Sequence, residues 1–384
     1  MFPKQMTLKG RKNHFNVKML SGYGLAVRLK DNKLVLAGGY DPFFGTQEKE
    51  EWFITNLPYE KIVISGRGYL STEAISLLCS HYKNIVITDP QGHPVSLISG
   101  CMQSLTATKY RIGQYDTFRN PEKVLYLQKW ILKEKIQSQI EFFKSLDNEI
   151  LNDGIKKLEE YHSKIEQKSD SKELRAIEAG SGRYYFMNYA KLIPAKYGFQ
   201  SRRGGGIVNS KRYAGDIINA LLNYGYTVLA GEVAKFVNGL SLDPYYGFYH
   251  KTDTSFQALV YDLIEPFRWL VEYSVYRIAN FTDKKWMIRK KDYTWTRDGN
   301  VVMDSDLIRR FLEILERKFQ SERPYEFKHG LKKESGMSMC QEITISKINI
   351  QNLADFCVHN GKLDENLYLN STLIIRSLGQ RESI

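Results

Sequence analysis

The stretch DIINALLNYGYTVLAGEVAKFV, residues 216–237, decides the character of the larger part of this chain. It predicts a long helix that Asp216 caps at its start and that Asn238-Gly239 ends. From Asn120-Pro121 onward the preceding residues also show helical spacing of apolar side chains, and Pro121 suits a first helical turn. The region from residue 120 onward is therefore expected to be mainly helical.

The first hundred residues show a different pattern. GLAVRLKDNKLVLAGG, from Gly24, has two alternating apolar runs around Asp31-Asn32, which is typical of a β-hairpin. Short apolar runs predict three further strands, at residues 62–65, 84–88 and 95–98. A helix capped by Ser71 is expected between the strands at 62–65 and 84–88.

A nucleotide-binding loop is an alternative for this first region. Gly66 and Gly68 lie where a strand is predicted to end, but the third glycine of the motif is missing and Ser71 stands in its place. We therefore expect an α+β fold in which an N-terminal strand-rich β-domain is joined by a helical linker to a larger all-α catalytic domain. The expected boundaries are 1–110 for the β-domain, 111–170 for the linker, 171–280 for the catalytic domain and 281–384 for a basic helical C-terminal extension.

Charge and composition favour a polyanionic partner. The formal net charge is +12 and the pI is near 9.2, which suits nucleic acid or an acidic membrane surface. No apolar run approaches the roughly 20 residues of a spanning helix, and the start MFPKQMTLKGRK lacks the apolar stretch of a signal peptide. We expect a soluble cytoplasmic protein. The four cysteines form no CxxC pair, so neither a zinc site nor a disulfide framework is indicated.

Two acids stand inside the apolar stretch LVYDLIEPFRWLV, residues 259–271. Helical spacing would put Asp262 and Glu265 on one face, where their charges need a cation. Arg268 could supply it as a simple ion pair, and a divalent metal is the alternative. His250, in a turn-rich stretch, and Glu178, before a predicted Gly-Ser-Gly break in IEAGSGRYYF, could complete a metal site.

The types of these side chains point to a hard metal ion. Carboxylate oxygens with one imidazole suit Mn²⁺ or Mg²⁺ better than zinc, which prefers more nitrogen or sulfur ligands. A basic protein with such a site indicates phosphodiester chemistry.

Four blocks resemble in order and spacing the CRISPR-associated integrase family: IEAGSGRYYF, RRGGG with DIINALLNYGYTVLAGEV, LSLDPYYGFYH and LVYDLIEPFR. The resemblance covers about residues 170–280. It implies an enzyme that cuts and joins DNA, with Glu178, His250 and Glu265 as ligands of Mn²⁺ or Mg²⁺ and Asp262 as a supporting catalytic acid. It also implies homodimers formed through the N-terminal β-domain.

Two features depart from the family pattern. The family has a proline after the aspartate that begins the long helix, whereas this chain has Asp216-Ile217. The 116 residues that follow Arg268 are closer to the casposases, transposon-encoded relatives that insert casposon DNA. We therefore favour a casposase, which could form a tetramer on DNA. A CRISPR adaptation integrase that inserts spacers with a small partner protein is the first alternative.

Two further functions remain open: a structure-specific nuclease that hydrolyses branched DNA, and a non-catalytic DNA-binding scaffold. A tyrosine recombinase is excluded because no histidine is followed by arginine in the His-x-x-Arg pattern. Basic segments, some of them interleaved with aromatic residues, would bind DNA. The alternatives for these segments are buried tyrosines, a surface linker and a solvated basic face. The candidate DNA contacts are Arg183, Tyr184, Arg202, Arg203, Lys211, Arg268, Lys284, Lys285, Arg289 and Lys290.

Overall fold

A computed structural model describes residues 17–40, 46–59, 61–88, 94–100, 107–202, 214–250, 257–328 and 335–359. The N-terminal part forms one mixed sheet, and the remainder is mostly helical. This confirms the predicted α+β fold. Within those residues, no helix combines the length and apolar character that a membrane span needs.

The sheet has six strands in the order β3-β2-β1-β4-β5-β6. β1 runs parallel to β4 and β4 runs parallel to β5, while the other pairs are antiparallel. Helix α1 (Thr72–Ser80) connects β4 to β5. The strands are β1 (Val17–Lys30), β2 (Lys33–Tyr40), β3 (Gln47–Trp52), β4 (Lys61–Leu70), β5 (Asn84–Thr88) and β6 (Pro94–Ile98).

Local predictions for this sheet are confirmed. Asp31 and Asn32 form the β1–β2 turn with φ angles of 51° and 60°, the left-handed conformation that a tight hairpin requires. The side chain of Ser71 accepts a hydrogen bond from the backbone N–H of Ala74 and caps α1. The predicted strands at 62–65, 84–88 and 95–98 lie within β4, β5 and β6.

Gly66 and Gly68 have a packing role. Both lie inside β4, and a Cβ atom at either position would come within 2.0 Å and 1.9 Å, respectively, of carbonyl oxygens of β1. The two glycines are needed for the close approach of these strands, which explains them without a phosphate-binding loop.

The two faces of the sheet pack against different partners. Side chains such as Ile62 and Ile64 form a small core that includes Ala74 and Leu78 of α1. Val63, on the opposite face of the same strand, belongs to the large core of the helical part. The alternation of strand side chains therefore joins the sheet to the rest of the protein.

The helical part is built around α6 (Ile217–Gly239), which packs against α7, α8, α9 and α10. Asp216 caps α6 by accepting a hydrogen bond from Asn219 N at 2.8 Å, as predicted. The other helices are α2 (Ala107–Phe118), α3 (Pro121–Ser145), α4 (Asn152–Ser163), α5 (Ser171–Lys191), α7 (Ala258–Ile264), α8 (Arg268–Asn280), α9 (Ser305–Gln320) and α10 (Glu342–Val358).

Two expectations from the sequence need correction. The Gly-Ser-Gly sequence at 180–182 does not break the chain, because α5 continues through it. A Cβ at Gly180 would lie 2.7 Å from the Tyr161 hydroxyl of α4, so this glycine permits close helix packing. Among its described residues, the part after residue 280 is not purely helical, since it contains two antiparallel strand pairs. They pair β7 (Tyr293–Trp295) with β8 (Val301–Met303) and β9 (Glu322–Lys328) with β10 (Ser335–Gln341).

A buried group of charges, the junction cluster, ties the sheet to the helices. Lys61 Nζ of β4 lies 2.9 Å from Glu232 Oε1 of α6 and 3.7 Å from Glu316 Oε2 of α9. Lys235 also contacts Glu232, at 3.1 Å. Lys61 keeps only 4% of its surface exposed, so solvent hardly reaches the lysine at the centre of the cluster.

Helix α10 packs against α2. The Tyr110 hydroxyl donates to Asp355 Oδ1 at 3.3 Å. A Cβ at Gly113 would lie 2.7 Å from the carbonyl oxygen of Cys357, so the two helices are in close contact there. The last described helix thus supports the first helix of the helical part.

Candidate active site

The proposed site residues come from α5, from the loop that precedes residue 250 and from the turn between α7 and α8. Glu178 lies in the middle of α5, and Glu265 begins a short 3-10 turn that separates α7 from α8. Pro266 has no backbone N–H to continue the α-helical ladder, which accounts for the turn at this position.

Lys135 of α3 joins the two glutamates. Its Nζ atom lies 2.7 Å from Glu178 Oε1 and 2.7 Å from Glu265 Oε2. The second oxygen of Glu178 accepts a hydrogen bond from the Tyr249 hydroxyl at 2.9 Å. We call Lys135, Glu178, Glu265 and Arg268 the site cluster. The sequence interpretation missed Lys135, because helical spacing does not distinguish it from the other lysines of α3.

Arg268 makes the ion pair that the sequence offered as the simple alternative. Its Nη1 atom lies 2.9 Å from Glu265 Oε1, and its guanidinium lies 4.2 Å from the centre of the Tyr226 ring. Burial raises the pKa of Glu265, but the charges of Arg268, Lys135 and His250 outweigh it and lower the pKa to about 2. Glu265 is therefore an ionised carboxylate surrounded by cations.

Asp262 holds the loop that carries His250. Its carboxylate accepts hydrogen bonds from the backbone N–H groups of Phe248, Tyr249 and His250 at 2.8, 3.0 and 2.9 Å. A Cβ at Gly247 would lie 2.7 Å from Asp262 Oδ2, which explains the glycine before this loop. Asp262 and Glu265 thus have different partners: Asp262 binds the His250 loop, whereas Glu265 contacts Lys135 and Arg268.

The imidazole of His250 is oriented by the same carboxylate. His250 Nδ1 lies 2.6 Å from Asp262 Oδ1, so Nε2 is the ring nitrogen on the side away from Asp262. Histidines that bind metals commonly have a carboxylate behind them in this way. Burial lowers the pKa of His250, but the bond to Asp262 and the charges of Asp262, Glu265 and Glu178 outweigh it and raise the pKa.

Two glutamine side chains hold the His250 loop against the surrounding helices by hydrogen bonds. Gln114 of α2 donates to the carbonyl oxygens of Asp243 and Tyr246 at 3.0 and 2.8 Å and accepts from Asp243 N at 2.7 Å. Gln128 of α3 donates to the Phe248 carbonyl at 2.7 Å and accepts from the Ser171 hydroxyl, at the start of α5, at 2.6 Å. These residues were also missed, because only the folded chain brings them to the loop.

The donor types fit a hard divalent cation, since two carboxylates and one imidazole are ligands that Mn²⁺ and Mg²⁺ accept. Their arrangement differs from a metal centre. Across the described residues, no three His, Cys, Asp or Glu side chains are gathered so that they could hold one ion. The Lys135 ammonium instead lies between Glu178 and Glu265.

Several candidate DNA contacts are on the surface. Tyr184, on α5, is 38% exposed, while its neighbour Tyr185 is buried and donates its hydroxyl to Glu272. Tyr185 is thus a core residue, as one alternative held. The candidates with exposed side chains are Arg183, Tyr184, Lys284, Lys285 and Lys290.

Other candidate contacts are already paired with neighbouring side chains. Arg202 donates to Asn219 and Asn223 at 2.7 and 2.8 Å, and its guanidinium lies 5.4 Å from the centre of the Tyr226 ring. Arg289 forms ion pairs with two aspartates, Asp292 and Asp306. Arg203 and Lys211 lie outside the described residues.

The chain was compared with known proteins. The family model "CRISPR associated protein Cas1" matches residues 19–317. A CRISPR-associated endonuclease Cas1 of Archaeoglobus fulgidus is 29% identical over 243 residues, 59% of this chain and 69% of the relative. One of Methanospirillum hungatei is 25% identical over 317 residues, 81% of this chain and 90% of the relative.

Solved structures show the same fold. A casposase bound to integration product superposes with a TM-score of 0.78 and 22% identity, covering 96% of each chain. A Cas1 protein from Thermotoga maritima superposes with a TM-score of 0.67 and 17% identity, covering 89% of this chain and 97% of the other. Because the family model spans more than half of the sequence, the resemblance noted from its motifs is confirmed, and the chain belongs to the CRISPR associated protein Cas1 family.

Proposed function

We propose that this protein is a DNA integrase that joins a DNA 3′-hydroxyl to a phosphodiester of target DNA, in the manner of a casposase. The observation that carries the proposal is the convergence of Glu178, Glu265 and the His250–Asp262 pair at one site of a basic protein. Similarity to a casposase bound to integration product, over 96% of both chains, supports the choice within the family.

The proposed reaction is a transesterification, in which one phosphodiester replaces another, so it needs neither ATP nor a covalent enzyme intermediate. Mn²⁺ or Mg²⁺, held by Glu178, Glu265 and His250, would lower the pKa of the attacking hydroxyl and stabilise charge on the leaving oxygen. Asp262 would act by fixing the imidazole and its loop. Exposed cations such as Arg183 and Lys284 would bind the phosphate backbone of double-stranded DNA.

The same carboxylates and histidine could also carry out the reactions of a CRISPR adaptation integrase or of a nuclease. A CRISPR adaptation integrase would insert spacers by the same chemistry, and the curated Cas1 relatives favour this second candidate. A solved structure with a TM-score of 0.67 is a Cas6-RT-Cas1–Cas2 complex, which suggests a Cas2-like partner for that case. Homodimers, or tetramers on DNA, belong to the casposase proposal. A nuclease would differ only in using water as the attacking group.

The test combines purified protein, Mn²⁺, a supercoiled plasmid and a labelled duplex that ends in a 3′-hydroxyl. We expect label to join the plasmid with wild-type protein, and Glu178→Ala to reduce joining by about a thousandfold or more. Glu173→Ala, on the same helix but paired with Lys168, is the matched control and should join DNA normally.

The other outcomes separate the alternatives. Nicking of the plasmid without joining would indicate hydrolysis, and joining that survives in Glu178→Ala would contradict the proposed site. A 3′-blocked duplex must give no product. Sequencing of the insertion sites then distinguishes a casposase target from a CRISPR array.

A further inference from the structure

We propose that Lys135 is an internal counter-cation that holds the place of the divalent ion between Glu178 and Glu265, and that the ion binds by displacing it. The inference rests on the proposed function, because it concerns the same carboxylates. It assigns a role to a residue of α3 that neither the family motifs nor the donor set includes. Lys135 is thus a positioning residue that controls access of metal to the site.

The contacts show that a single cation serves both carboxylates. Glu178 Oε2 and Glu265 Oε1 already have other partners, Tyr249 and Arg268. The remaining oxygens, Glu178 Oε1 and Glu265 Oε2, each lie 2.7 Å from the Lys135 ammonium. These are the oxygens that a metal ion between the two acids would bind.

A lysine is suited to such an exchange. Its ammonium is a compact charge on a flexible four-carbon stem, so it can leave without moving the helix. The ammonium donates a hydrogen bond to Glu178 Oε1 at 2.7 Å and contacts Glu265 Oε2 at the same distance, so an incoming divalent ion would have to replace both contacts.

The site is open enough for an incoming ion. The side chains of Lys135, Glu178 and His250 are 12%, 25% and 33% exposed. An ion can therefore reach Glu178 from solvent, whereas Glu265, with a side chain only 6% exposed, becomes accessible when Lys135 moves away. Because an ammonium and a divalent cation between the same two oxygens would repel each other strongly at such distances, both cannot occupy the position together. Binding of the ion is an exchange of cations.

The first experiment titrates Mn²⁺ into metal-free protein by calorimetry. Lys135→Met removes the competing charge and keeps a side chain of similar length, so we expect Mn²⁺ to bind about tenfold more tightly or better, a difference of roughly 1.4 kcal/mol. Lys133→Met, on the same helix and paired with Glu166, is the control and should match wild type. Equal or weaker affinity in folded Lys135→Met overturns the proposal.

A second measurement uses only wild-type protein and so does not depend on the folding of a variant. An amine-reactive acylating reagent labels lysines, and peptide mass spectrometry gives the rate at each position. We expect Mn²⁺ to raise labelling of Lys135 at least threefold relative to Lys133, because the displaced ammonium leaves the carboxylates. Labelling that Mn²⁺ leaves unchanged or slows contradicts the exchange.

These results separate this inference from the proposed function. If wild-type protein joins DNA but Lys135→Met binds Mn²⁺ no more tightly, the exchange fails while the integrase proposal stands. If Mn²⁺ displaces Lys135 but DNA is never joined, the integrase proposal fails while the exchange stands. If wild-type protein does not bind Mn²⁺, the proposed exchange of cations is contradicted.

Discussion

The site cluster and the junction cluster have the same arrangement of charges, a lysine between two glutamates, in different parts of the protein. In each, the ammonium of one lysine lies between two glutamates that come from different elements of the fold. In each, one of those glutamates has a pKa lowered to about 2, since nearby cations outweigh the effect of burial. A lysine between two acids is therefore not enough to identify a functional site.

The neighbours of the two clusters make the main difference. The side-chain exposure of the bridging lysines differs less, at 12% for Lys135 and 5% for Lys61. The site cluster also has His250 beside it, held by Asp262. The junction cluster instead joins a strand of the sheet to two helices. From these neighbours we expect cation exchange in the site cluster and a stabilising role for the junction cluster.

The largest expected effect is on the junction. Lys61→Met leaves the buried Glu232 and the partly buried Glu316 without their shared cation, so we expect the free energy of unfolding to fall by about 3–5 kcal/mol. Denaturant titration measures it, with Lys49→Met on exposed β3 as a control expected to change stability by less than about 0.5 kcal/mol. A loss below about 1 kcal/mol would show that the junction cluster does not need its lysine.

Glu313 belongs to neither cluster and shows the effect of burial on the pKa of a glutamate. Burial raises the pKa of Glu313 from its usual 4.5 to about 7, although Arg317 opposes the shift. This acid therefore favours folding below pH 4.5, and that contribution disappears as pH rises through about 7. We expect Glu313→Gln to remove about 2 kcal/mol of this pH dependence, measured by thermal unfolding from pH 4.5 to 8. An unchanged slope would contradict it.

A smaller effect is expected from the loss of an uncharged side chain, Gln128, that holds the His250 loop beside the site cluster. Gln128→Ala removes the hydrogen bonds to the Phe248 carbonyl and the Ser171 hydroxyl, and we expect stability to fall by about 1–2 kcal/mol. We also expect faster amide hydrogen exchange at residues 248–250 and weaker DNA joining. Exchange at Lys61, in the junction, should not change. If the loop exchanges as in wild type, Gln128 does not hold it.

The smallest effect concerns cations that belong to no cluster. Lys284 is exposed, and Lys284→Ala should weaken DNA binding about threefold and reduce the slope of log K against log salt by about 1. Arg289→Ala should mainly destabilise the fold, because Arg289 is paired with Asp292 and Asp306. Binding isotherms at several salt concentrations measure both. A salt slope that changes more in Arg289→Ala than in Lys284→Ala would show that Arg289, not Lys284, contacts DNA.

Local chemistry made much of the fold predictable. Asp31-Asn32 permits a tight turn, and Ser71 and Asp216 carry cap oxygens, so each element could be located from a few neighbouring residues. The Gly-Ser-Gly prediction was wrong because it used local propensity alone. Contact between Gly180 and Tyr161 of another helix decides that position, and such a contact is not visible in the sequence.

The candidate site was only partly predictable for the same reason. Carboxylates and a histidine among apolar residues stand out, and the motifs that contain Glu178, His250 and Glu265 could be found. Lys135 and Lys133 look alike in the sequence of α3, yet Lys135 contacts the acids while Lys133 pairs with Glu166. Only the packing of α3 against α5 and α8 separates them.

The contact between α10 and α2 has a consequence for synthesis of the protein. The hydrogen bond from Tyr110 to Asp355 joins residues 245 positions apart, and α2 also carries Gln114, which fastens the loop before His250. On the ribosome, α2 emerges long before α10 can pack against it. A nascent chain therefore lacks full support for the histidine loop until α10 has emerged, so DNA-joining competence should arise late in translation.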